Sequence, residues 1–124
     1  MKRDMDLIYK ILVFYEEKED FIDPVTPEIE GYSNNEVNYH IKLMDQAGLL
    51  EAKDLSSRSN VTWVASSLTH YGHDFFDALK QESVWSTIKS EFKEASLDTI
   101  ISVSKQLAEG WARKKVEALL GENS

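Results

Sequence analysis

His40, His70 and His73 are the side chains of this 124-residue chain best suited to grip a metal, and His70 and His73 stand three apart with Asp74 and Asp77 close behind. On a helix, residues three and four apart share a face, so this pattern could offer nitrogen and oxygen donors together. The spacing is not that of H-E-x-x-H, however, and His40 flanks an apolar stripe as a hydrogen-bonded histidine at a core edge would. No metal site is expected. The chain has no cysteine, which excludes a disulfide scaffold, a cysteine-ligated zinc site and a thiol nucleophile. It has no G-x-S-x-G elbow, glycine-rich phosphate loop or acid pair in a recognisable setting, and its five glycines fall singly at turns and helix ends. No catalytic residue, no cofactor and no enzyme activity are expected.

The remaining chemistry is that of hydrogen-bonding amides and a few cations. At 100° per residue, Asn35, Asn38, Lys42 and Gln46 fall on one face of a helix, with Tyr39 and Asp45 at its edges. Asparagine and glutamine can bond adenine with two hydrogen bonds, and lysine can serve guanine or phosphate, so this face could read a DNA groove. Arg58, among Ser56, Ser57, Ser59 and Asn60, could reach a phosphate or the minor groove from a loop tip. A solvated helix face and a plain polar turn are the other readings of the same residues, and Asp45 would repel phosphate.

These side chains need elements to hold them. Ile8, Ile11, Leu12 and Tyr15 lie at i, i+3, i+4 and i+7 and predict a helix from Asp4 to Lys18, with Asp4 as N-cap. Residues 19–32 contain both prolines and Gly31 and read as a loop, with one short extended stretch around Ile29. Ser33 and Glu36 form a capping box opening a second helix, whose buried stripe is Val37, Ile41 and Met44 and whose end is Gly48. Leu49–Leu55 and Val61–Val64 predict two strands around a five-residue tip. Thr69 caps a helix with Tyr71, Phe75, Phe76 and Leu79 as apolar positions, another helix spans 83–93, and Ser96 caps a long helix reaching Gly121. The apolar stripe of that last helix includes Leu97, Ile100, Ile101, Leu107, Ala108, Trp111 and Leu119.

Composition and charge bound the function. With 42% apolar and 29% charged residues the chain should form one globular core, and its longest strictly apolar run, Ile11 to Phe14, is too short to span a bilayer. The N-terminus has no signal-peptide pattern, so a cytoplasmic location is expected. The net charge of −8 opposes loose binding to nucleic acid. That charge is uneven: residues 1–33 carry nine acids and four bases, whereas residues 34–70, which include the amide-rich helix and the hairpin, carry four and three.

The order helix, loop, capped helix, hairpin, helix is that of a winged helix. Val37 to Met44, followed by Ala47-Gly48-Leu49-Leu50, resembles the recognition helix and its exit in ArsR-type bacterial repressors, and Leu68 to Phe76 resembles the segment after their wing. The opening Met1 to Ile8, Glu30-Gly31-Tyr32-Ser33, Gly72-His73-Asp74-Phe75, Val84-Trp85 and Ala95 to Asp98 resemble an uncharacterised family of bacterial and phage or prophage proteins, classed as a domain of unknown function. That resemblance covers nearly all of residues 1–121 and implies a winged-helix-like protein of a mobile element, with no activity or ligand attached. Ordinary helix-turn-helix repressors have a further helix before the recognition helix, where this chain has its proline-containing loop.

The expected fold is therefore α/β, mostly α: a winged helix-turn-helix-like domain over residues 1–82 with a two-stranded wing, and a C-terminal helical extension over 83–124. The expected function is that of a small DNA-binding regulator, using Asn35, Asn38, Tyr39 and Lys42 in the groove and Arg58 on the backbone of double-stranded DNA. The alternative is a winged-helix module that docks another protein through its acidic surface and binds no DNA. A homodimer through the C-terminal helices is a further expectation.

Overall fold

The structure, a computed structural model, describes residues 1–122. It is mostly helical with one two-stranded antiparallel sheet: α1 (Met5–Glu17), α2 (Asn34–Gln46), β1 (Leu50–Asp54), β2 (Trp63–Leu68), α3 (His70–Leu79), α4 (Glu82–Glu91) and α5 (Leu97–Glu122). The chain forms two compact units, Met1–His73 and a second that begins at Asp74, so the division falls within α3. No helix among the described residues is long and apolar enough to cross a membrane.

In the first unit, α1 packs on α2 and β2, and α2 packs on both strands. The stripe Leu7, Ile8, Ile11, Leu12 and Tyr15 of α1 meets that of α2, Val37, Ile41 and Met44, in a core completed by Leu50, Val64, Ala65 and Leu68. Each Leu, Ile, Val or Met side chain removed from water there contributes about 1.5–3 kcal/mol. Local chemistry sets the ends of the helices. The Asp4 carboxylate accepts from Leu7 N–H at 3.2 Å, which satisfies one of the orphan donors of α1. Both halves of the Ser33–Glu36 capping box form, at 3.0 and 3.1 Å. At the other end of α2, Gly48 takes φ +79°, and Gly48 N–H and Leu49 N–H return to the carbonyls of Asp45 and Met44. This double closure is the Schellman arrangement, which favours glycine at the left-handed position.

Two departures from the expected layout concern the sheet. The return strand starts at Trp63 rather than Val61 and runs to Leu68, so the connection spans residues 55–62. Its register places Asp54 opposite Trp63 and Leu50 opposite Leu68, with an irregularity between Glu51 and Ala52 that leaves Ser66 as the extra residue of β2. The extended position in the preceding loop is Val25, not the neighbourhood of Ile29: Val25 and Ala65 exchange both backbone hydrogen bonds at 3.0 Å. Tyr15 O–H donates to the same Val25 carbonyl at 2.6 Å, which ties α1, loop and sheet together.

The second unit contains α4 packed on α5, with Phe75, Phe76, Leu79, Val84, Ile88, Leu97 and Ile100 buried. The Ser96 hydroxyl accepts from Thr99 N–H at 3.1 Å and so caps α5. Two apolar expectations fail by exposure. Tyr71 is 67% exposed rather than part of the buried stripe of α3, and the stripe of α5 is covered only in its first turns, leaving Leu107, Trp111 and Leu119 open.

Candidate nucleic-acid interface

The α2 face identified from spacing is only partly a surface. Asn35, Lys42 and Gln46 are exposed, and Tyr39 is half-buried with its ring edge-on to that of His40 at 5.7 Å. Asn38 is the correction: it is 1% exposed, and its carboxamide is spent inside the protein. Its Oδ1 accepts from Trp63 N–H at 2.5 Å, and its Nδ2 donates to the Asn34 carbonyl at 2.8 Å and to Asn34 Oδ1 at 3.1 Å. An amide committed to a strand on one side and a helix turn on the other has no edge left for a base. Asn38 therefore leaves the candidate reading set and becomes the group that fastens α2 to the sheet.

His40 is likewise internal and 1% exposed. Its Nε2 accepts from Asp4 N–H at 2.9 Å, and Nδ1 faces the Glu36 carbonyl at 2.7 Å. A carbonyl can only accept and an amide can only donate, so these partners select the tautomer with hydrogen on Nδ1. Tyr32 O–H donates to the other Asp4 carboxylate oxygen at 3.1 Å. Three segments thus converge on the start of α1. His70 and His73 are both exposed, and among the described residues no three or more histidine, aspartate or glutamate side chains gather as a metal-holding group.

The hairpin beyond the two strands is ordered by its own polar groups. Leu55 N–H donates to the Thr62 carbonyl at 2.8 Å, Ser57 N–H to the Asn60 carbonyl at 2.8 Å, and Thr62 N–H to the Ser56 hydroxyl at 3.0 Å. Arg58 sits within the closing turn from Ser57 to Asn60 and is exposed. At the hairpin stem, the Ser56 hydroxyl and N–H hold the Asp54 carboxyl below the usual carboxylate range, and the positive charge of Lys42 lowers it further.

The geometry joins one helix and one hairpin in a fixed frame. Asn35, Lys42 and Gln46 point outward from the helix, and a single guanidinium stands at the hairpin tip. Sequence reasoning overlooked the exposed pair Phe21 and Ile22 in the loop after α1, because a short apolar pair between acids has no periodicity to mark it.

The family model described as "Hypothetical protein (DUF2513)" matches residues 2–98, most of the chain. The chain belongs to the DUF2513 family. All five residues first considered for DNA lie within the part that matches DUF2513, which ends at the first turn of α5. A protein of Haemophilus influenzae described as uncharacterized is 36% identical over 110 residues, which cover 88% of this chain and 93% of that protein. No solved structure matches. The family-level resemblance read from Glu30–Ser33 and Gly72–Phe75 is thereby borne out at the level of a domain of unknown function.

Proposed function

We propose that this chain is a small DNA-binding, transcription-regulator-like protein of winged-helix type, such as phage and prophages carry. In this reading α2 enters the major groove and the β1–β2 hairpin is the wing. The observation that supports it is the Asn38–Trp63 hydrogen bond, which locks α2 to the first residue of β2 while leaving Asn35, Lys42 and Gln46 outward. A reading helix must hold its register against the backbone contacts of its wing, and this bond couples the two. Asn35 would bond base edges, Lys42 a guanine or phosphate, Tyr39 the groove wall, and Arg58 the backbone beyond the tip. The loop that replaces the usual positioning helix is itself tied to β2 through Val25, so the docking angle would be set by the sheet.

Charge favours a second reading, in which the same scaffold docks a protein. Residues 1–73 carry thirteen acids and seven bases. Such a surface releases few counterions on DNA, so binding has to come from contacts to bases rather than from the phosphate field.

Retention on duplex DNA as salt rises separates the two. A DNA-binding protein loses affinity linearly in log salt, and Lys42→Ala and Arg58→Ala should each reduce the slope by about 1. No retention at low salt, on random duplex or on the DNA flanking the gene, would sink the DNA reading and leave the protein-docking one.

A further inference from the structure

Two exposed apolar surfaces of this chain are flanked by charges of opposite sign. The first is the loop after α1, where Phe21 is 75% and Ile22 74% exposed. These side chains do not hang on a slack segment: Asp20 Oδ1 accepts from Ile22 N–H at 2.9 Å and Asp23 N–H at 2.7 Å, and it pairs with Lys18 Nζ at 3.0 Å. The turn presents an aromatic and an aliphatic side chain already in place, which lowers the entropic cost of docking them. Around them stand Glu17, Glu19 and Asp23, all exposed.

The second surface lies in the other unit. Ser83, Val84 and Thr87 of α4 and Leu107, Trp111 and Lys114 of α5 enclose an open groove of about 310 Å³. Trp111 is 53% exposed, and a further hollow of about 570 Å³ lies between it and Gln81–Ser83. Lys114 lines the groove, and Lys115 Nζ stands 5.1 Å from the centre of the Trp111 ring. Beyond this point every residue of α5 from Trp111 to Leu120 is exposed. The groove thus sets Leu107 and Trp111 beside the cations Lys114 and Lys115, with Glu82 as the one acid of the adjoining hollow, while the loop is apolar at its tip and negative at its flanks.

We propose that the Trp111 groove between α4 and α5 receives the Phe21–Ile22 tip of a second copy of this chain. Pairing α5 with its own copy fits the charges less well. A parallel pair would bring Lys114 and Lys115 of both copies together, and in either orientation α5 offers these lysines no acid on the Trp111 face, since Glu109 and Glu117, at 100° per residue, lie roughly 120° or more around the helix from Trp111. The acidic loop supplies the missing counter-charge. It also keeps this contact separate from DNA, which the loop would repel.

Sedimentation equilibrium of the full chain, without DNA, tests this over micromolar to submillimolar concentrations. A monomer–dimer equilibrium that weakens as salt rises is expected. Phe21→Ser with Ile22→Ser should weaken it at least tenfold, and so should Lys114→Glu with Lys115→Glu. All four positions are exposed, so far-UV circular dichroism, and the unfolding midpoint at concentrations low enough for the wild type to be monomeric, should stay unchanged and show that the variants fold. Combining Glu19→Lys and Asp23→Lys with the two lysine reversals should restore association above that of either charge variant alone. A chain that stays monomeric throughout, association indifferent to the tip variant, or failure of the charge exchange to restore it would overturn the proposal.

Discussion

The side-chain oxygen of Asn38 and the backbone N–H of Trp63, twenty-five residues apart, form the hydrogen bond that joins α2 to the start of β2. Thr26 Oγ1 donates to the Trp63 carbonyl at 2.6 Å, so this one residue is held from the helix through its amide and from the loop through its carbonyl. The stem of the hairpin is therefore fixed from two sides before the tip begins. A side chain in this role must be polar, small and internal. That is why an asparagine lies within the buried side of α2 among Val37, Ile41 and Met44.

Removing that oxygen leaves the Trp63 N–H without its partner. Asn38→Ala is expected to lower the unfolding free energy by about 1–3 kcal/mol, the cost of an unsatisfied buried donor plus the lost bonds to Asn34. Urea denaturation measures it. An exposed base-reading asparagine would behave differently, since its truncation would leave the midpoint in place and alter only discrimination between DNA sequences.

The parts of this structure that were legible beforehand rest on chemistry within one turn of chain. The Asp4 cap, the Ser33–Glu36 box and the left-handed Gly48 all depend on residues three or four apart, and each is where the spacing placed it. Asn38 was not legible for a geometric reason. At 100° per residue it lies about 60° from exposed Asn35 and about 60° from buried Ile41, and only a distant strand decides which side it joins. The same holds for Val25, whose partner Ala65 is forty residues away, and for Tyr71 and Trp111, where the helical period is present but nothing local says whether a neighbour covers the stripe. At the candidate interface, residue types were readable and their exposure was not.

Tyr15 should make stability sensitive to alkali. Burial pushes its phenol above the ordinary value of about 10, outweighing the backbone amide of Ala65, which favours the ionised form. The neutral phenol is the form that the fold prefers. Its contribution is complete below the unfolded value, near pH 10, and is lost as pH rises from there towards the folded value. Tyr15→Phe removes the bond to Val25, whose carbonyl keeps Ala65 N–H as a donor, so the loss below pH 9 should be about 1 kcal/mol. Unfolding curves at stepped pH should show the gap between wild type and variant narrowing above pH 10; a constant gap would contradict the assignment.

Ser104 carries a fully buried hydroxyl with no hydrogen-bond partner among the described residues. It lies inside α5, where alanine is also the better helix former. Ser104→Ala removes an unpaired polar atom without adding volume and should stabilise the chain by about 1 kcal/mol, seen as a raised urea midpoint at unchanged slope.

Gly72 and Gly110 should respond to alanine in opposite ways although both lie inside helices. A Cβ on Gly72 would fall 2.1 Å from the Leu49 carbonyl oxygen and 3.3 Å from Leu68 Cβ. The obstacle is backbone, and it is held in place: Leu49 O accepts from Thr69 N–H at 3.0 Å, and the Thr69 hydroxyl donates to the Gly48 carbonyl while accepting from Gly72 N–H. Relief would require the start of α3 to move off the end of α2 and break this cap, so Gly72→Ala should cost about 2 kcal/mol or more. At Gly110 the added methyl meets nothing within 4 Å, and the helix gains about 1 kcal/mol from the better propensity of alanine. Thermal and urea unfolding of the two variants should move to either side of wild type. A Gly72→Ala protein as stable as wild type would mean that α3 does not pack against Leu49 as described.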